Sequence, residues 1–105
     1  MRENLGDTLG AIADLSKEIE IDPKSADNYF IRGMLYQKTN NYEKALSDFR
    51  KVNHLDAGNA DAHFFAAQMY WQLNKSKRLI RKQLTACLKV NPIHEDAAKL
   101  LKIIN

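Results

Sequence analysis

The sequence predicts an all-α fold of stacked antiparallel helix pairs, on three observations. The chain repeats itself about every 34 residues, and its apolar residues recur three and four apart within each period. It is also poor in helix breakers, with four Gly and two Pro in 105 residues.

Displaced by 34 residues, the sequence falls onto itself: Ala11 meets Ala45, Leu15 meets Phe49, Asp22 meets Asp56, Ala26-Asp27 meets Ala60-Asp61 and Tyr36 meets Tyr70. A further copy follows at 35, where Leu55-Asp56 becomes Val90-Asn91. The extra residue belongs in the polar stretch Asn74-Lys75-Ser76-Lys77, because a turn between helices tolerates insertion.

Six helices follow, over about 7–21, 25–38, 42–55, 60–73, 77–90 and 94–104. The first carries Leu9, Ala11, Ile12, Leu15 and Ile19 and stops at Asp22-Pro23. Ser25 caps the second, whose face is Tyr29, Arg32, Gly33 and Tyr36, and Asn40-Asn41 breaks the pattern after it. The third turns Ala45, Phe49 and Val52 inward. Asn59 caps the fourth, with His63, Ala66, Ala67 and Tyr70, and Ser76 caps the fifth, with Ile80, Leu84 and Cys87. Asn91-Pro92 opens the way to the last helix, since proline fits the first turn of a new one.

Two helices per period, with the pattern Trp-x2-Leu-Gly-x2-Tyr followed by Ala-x3-Phe and a closing Pro, is the tetratricopeptide signature. Residues 26–59 resemble that family through Tyr29-x2-Arg32-Gly33-x2-Tyr36 and Ala45-x3-Phe49, with Ala57 in place of the proline. Residues 60–94 resemble it more loosely through His63-x2-Ala66-Ala67-x2-Tyr70, Ile80-x3-Leu84 and Pro92. Residues 6–23 resemble a second helix alone, a half repeat, and 95–105 a terminal capping helix. The resemblance implies one domain over 1–105, wound as a right-handed α-solenoid, that works as a protein-protein interaction scaffold without catalysis.

Packing expectations follow from the register. Gly33, Ala45 and Ala67 let paired helices approach, and Tyr36, Phe49, Tyr70 and Leu84 fill the space between them. Glu18 and Lys102 put charge where packing stops, as terminal repeats of a solenoid should. Arg32 stands in a slot that is usually apolar, so Asp14, Asp48 or both should pair with it, because an unpaired buried guanidinium is too costly.

The composition excludes several function classes. A net charge of +3 is too small to argue for nucleic acid, and Cys87, the single cysteine, permits no internal disulfide. No apolar run approaches the ~20 residues of a membrane span, and the opening Met-Arg-Glu-Asn-Leu-Gly-Asp is no secretory leader, so a cytoplasmic location is the default expectation. His54, His63 and His94 are not spaced as zinc ligands, no glycine-rich phosphate loop is present, and no nucleophile, base and orienting group assemble. No cofactor, metal or catalytic residue is expected.

In the family the first helices of successive repeats line a concave groove that holds a partner segment. Rotating about 100° from the packing face selects Phe30, Met34 and Gln37, then Phe64, Gln68 and Trp71, then Lys99 and Ile103, with Asp27 and Asp61 at the rim. Phe30, Phe64 and Trp71 are the expected anchors; the alternative is that Phe30 and Phe64 only complete the core. Some family members grip chaperone C-terminal tails with a lysine, arginine and asparagine clamp. Here the matching slots hold Phe30, Met34, Ile31, Asp61 and Phe65, which argues against that partner and for an apolar or amphipathic one. A second candidate surface is the basic strip Lys75, Lys77, Arg78, Arg81 and Lys82, which could meet phosphates or an acidic partner. A homodimer through the uncovered face of the first helix, around Ala11 and Leu15, is a further candidate that Glu18 opposes.

Overall fold

A computed structural model describes residues 5–105 as six helices: α1 (Leu5–Ile21), α2 (Ala26–Lys38), α3 (Tyr42–Leu55), α4 (Ala60–Gln72), α5 (Lys77–Val90) and α6 (Glu95–Ile104). The described residues contain no strand. Each helix packs chiefly on its neighbour in sequence, giving the stacked antiparallel solenoid that the repeat predicts.

Two kinds of turn alternate, and each is written into the repeat. Within a pair, α2 and α4 both end on an asparagine in the left-handed region, Asn40 at φ 61° and Asn74 at φ 55°. Asparagine tolerates that conformation, and it closes a Schellman motif at each end. Asn41 N–H donates to Tyr36 O (2.9 Å) and Asn40 N–H to Gln37 O (3.0 Å); Lys75 N–H donates to Tyr70 O (2.9 Å) and Asn74 N–H to Trp71 O (3.0 Å). The extra residue follows the second asparagine, before Ser76, whose hydroxyl accepts from Leu79 N–H.

Between pairs, an Asx turn occurs three times at the same register. Asp22, Asp56 and Asn91 each accept, through Oδ1, the N–H two residues on, from Lys24 (3.3 Å), Gly58 (3.2 Å) and Ile93 (3.2 Å). The following cap is Asn59, which accepts from Ala62 N–H, or His94, which accepts from Ala97 N–H, both at 3.1 Å. Two expectations change here. Ser25 takes the extended cap backbone but makes no side-chain bond. Pro23 and Pro92 sit inside the turns ahead of the cap residue, not in the first turn of a helix, so their part is to end the preceding helix.

The core runs the length of the stack. Ala45, Phe49, Val52, Ala66, Ala67, Leu84 and Cys87 are wholly shut off from solvent. The large side chains among them stabilise by ~1.5–3 kcal/mol each relative to exposure. Gly33 faces Phe49 so closely that a Cβ there would lie 2.9 Å from the ring. Phe49 in turn stacks on Phe65, centroids 5.4 Å apart. Tyr36, expected in the core, is only half-buried, and Arg32 and Lys44 each approach its ring at 5.6 Å.

Arg32 ties three helices together. Its Nε and Nη2 donate to the two carboxylate oxygens of Asp48 at 2.8 and 2.7 Å, and Nη1 donates to Ser16 Oγ at 3.1 Å. The hydrogen bond to Asp48 raises the guanidinium above its ordinary value against the opposing effect of burial. Asp14, the other expected partner, is exposed, and Ser16 takes its place. At the ends, Glu18 and Lys102 are exposed, as are Leu9 and Ile21 on α1.

Candidate binding groove

The first helices of the two pairs, α2 and α4, and the terminal helix α6 enclose a groove of ≈ 630 Å³. Gln37, Phe64, Gln68, Lys99 and Ile103 line it, joined by Asp61, Phe65, His94, Asp96 and Leu100. A smaller hollow of ≈ 320 Å³ continues it past Gln37, Gln68 and Leu100 to Trp71. Six of the eight residues selected by helical rotation therefore come together. Phe30 and Met34 line neither hollow.

Of the three expected anchors only Trp71 is open, at 41% exposed. Phe64 is 8% exposed, its ring held by Phe65 (5.6 Å) and by His94 (5.1 Å). Phe30 is half-buried and meets Phe49 and Phe65 edge-on, both at 5.9 Å. These two rings complete the core through Phe65, so among the eight selected residues the apolar surface offered to solvent is Ile103 (68%), Trp71 and Met34 (38%).

His94 organises the acidic end. Its Nδ1 accepts the Ala97 N–H, so the ring proton sits on Nε2, which donates to Asp61 Oδ1 at 3.0 Å. The His94 ring thus bridges α4 and α6, and the Asp61 side chain stays 65% exposed. Asp61 stands at the rim as expected, whereas Asp27 lines neither hollow; Asp96 and Leu100 were legible in the repeat, because Asp27, Asp61 and Asp96 are equivalent, as are Ile31, Phe65 and Leu100. The bond between His94 and Asp61 has no such signal.

The remaining chemistry-bearing residues have structural duties. His63 lies between Gln83 Oε1 (2.9 Å) and Ala57 O (3.0 Å), joining α4, α5 and the preceding turn. Burial, with a smaller contribution from the Asp61 charge, pushes the Cys87 thiol up to about 11. Among the described residues no group of three His, Cys, Asp or Glu is placed to hold a metal. A hollow of ≈ 680 Å³ elsewhere, over Arg32 and Asp48, sets Tyr29, Leu46 and Leu73 among charges of both signs. The basic strip is exposed throughout on α5 and the turn before it. Arg78, Arg81, Lys82 and Thr85 line a shallow ≈ 310 Å³ depression there, and Arg81 Nε donates to Asn105 Oδ1 at 3.1 Å.

Residues 14–47 match the tetratricopeptide repeat family, a stretch running from within α1 to within α3. The fold agrees along the chain. This is a tetratricopeptide-repeat fold. No curated protein is detectably similar in sequence. Among solved structures, MamA matches over 94% of this chain and 57% of its own, at 22% identity and a TM-score of 0.89. The chain thus spans just over half the length of that relative. The first tetratricopeptide domain of Spaghetti (RPAP3), bound to the HSP90 peptide SRMEEVD, matches over 94% and 78% of the two chains, with 21% identity and a TM-score of 0.86. The Yersinia enterocolitica type III secretion chaperone SycD, in complex with a peptide of the translocator YopD, matches over 94% and 80%, with 14% identity and a TM-score of 0.87. Among the described residues, no helix is long and apolar enough to cross a membrane.

Proposed function

We propose that this chain is a protein-interaction scaffold that seats a peptide or helix of a partner protein in the α2–α4–α6 groove and performs no reaction on it. One observation carries the reading: exposed apolar side chains, Ile103 and Trp71, border two adjoining hollows that share Gln37, Gln68 and Leu100, the larger floored by Phe64 and Phe65. Isolated surface hydrophobes need no explanation, but their gathering around a groove marks an interaction site. Spaghetti and SycD carry peptides on the same fold, which supports a peptide here. The HSP90 peptide is rich in carboxylates, and this groove offers Lys99 against Asp61 and Asp96, so a tail of that kind suits it poorly.

Trp71 is the only tryptophan, so its fluorescence should report occupancy of the groove. Ile103→Asp and Trp71→Ala replace exposed groups and should each weaken a bound peptide at least tenfold, about 1.4 kcal/mol, with the circular dichroism melt unchanged. Phe64→Ala is a poor test, because emptying that buried position costs the fold ~3 kcal/mol. Reversing Arg78 and Lys82 to glutamate should leave binding as it was. The opposite pattern would move the site to the basic strip.

A further inference from the structure

The groove and the chain differ in the sign of their charge. The whole sequence carries +3, yet the groove brings together two carboxylates, Asp61 and Asp96, and one ammonium, Lys99. Asp61 and Asp96 occupy the first turns of α4 and α6, where the helix dipole favours an acid. That accounts for their stability but not for their position at the mouth of a cavity. The His94 ring meets only one oxygen of Asp61, and the carboxylate is largely open to solvent.

The groove also holds unmet acceptors. Gln37 and Gln68 line both hollows, and the Oε1 of each is shut off from solvent with no hydrogen-bond partner. A buried carboxamide oxygen in that state gains most from an incoming N–H. Carboxylates at one end, apolar side chains at the floor and wall, and carboxamide acceptors at the other end together describe the complement of their occupant.

Resting on the peptide-seat reading above, we propose that the groove selects a cationic amphipathic segment of a partner protein. Its lysine or arginine sits against Asp61 and Asp96, its apolar side chains cover Phe64, Leu100 and Ile103, and its backbone passes Gln37 and Gln68, whose carboxamides turn outward to accept its N–H groups.

A random twelve-residue peptide display library, selected in parallel on the wild type, on Asp61→Asn with Asp96→Asn, and on Ile103→Asp, tests this. The carboxamide introduced by Asp61→Asn keeps an acceptor for His94, so the double variant removes charge without removing that bond. The wild type should enrich peptides bearing lysine or arginine beside apolar residues. Synthetic copies of those peptides should bind at least tenfold more tightly than their glutamate-substituted twins at low salt. In the double variant the preference should shrink to within about twofold. The chain's own positive charge biases non-specific capture toward acidic peptides, so this background works against the expected result. Neutral or acidic enrichment, or a lysine preference untouched in the double variant, overturns the proposal, as does no enrichment at all. If the selected peptides are lost in Ile103→Asp but show no charge preference, the seat stands and the charge selection falls. If Ile103→Asp changes nothing, the seat itself falls.

Discussion

Arg32 shows what a single unconventional residue demands of its surroundings. A guanidinium in a mostly apolar slot needs a carboxylate in bidentate register, and Asp48, 3% exposed, supplies it while Ser16 takes a third proton. Removing one partner of such a pair is worse than never having had it, because the other is left charged and buried. Asp48→Ala should therefore cost about 3 kcal/mol in urea unfolding, whereas Arg32→Met with Asp48→Leu should recover most of that loss. If the double variant is no more stable than Asp48→Ala, the pair is stabilising in its own right. The requirement for an acid was legible in the sequence, because Arg32 broke the pattern of its slot. Ser16 was not, since a hydroxyl on a preceding helix has no pattern to break.

At the scale of helices, the close approach of α2 and α3 depends on Gly33. Alanine in place of a helical glycine normally stabilises by ~1 kcal/mol. Here the added Cβ would stand 2.9 Å from the Phe49 ring and 3.2 Å from Asp48 Cβ. Phe49 is pinned by its stack on Phe65 and is wholly enclosed. Gly33→Ala should thus be destabilising by about 1 kcal/mol and Gly33→Leu by more than ~3 kcal/mol, read from chemical denaturation midpoints. A Gly33→Leu protein that unfolds at the wild-type midpoint would contradict this register. All six helices were legible to within two residues, because the turn residues Asp22, Asn40, Asp56, Asn74 and Asn91 punctuate the repeat at fixed offsets. The degree of burial of Phe64 was not. A rotation of 100° places a side chain on the groove side, but the His94 ring that covers it comes from the turn one repeat later.

At the scale of the whole stack, the outer side of α1 matters as much as the core. On α1, Ala11 and Leu15 are half-buried, and Glu18 is exposed one turn further along the same side. Any two-fold contact through that face would carry two carboxylates into it, one from each copy. Glu18→Leu should therefore raise self-association at least tenfold over the wild type in sedimentation velocity. An unchanged distribution would show that α1 is not where copies meet.

The short turns have a consequence for how the chain reaches this state. Three residues separate α2 from α3 and four separate α4 from α5, and the main packing partners are successive helices. Little chain entropy is lost in bringing distant segments together, so the search for the native arrangement is mostly local. Such a topology belongs among fast folders, on the order of microseconds to milliseconds. Any helix pair can form first and template its neighbours, and no single segment has to be in place before the others can settle.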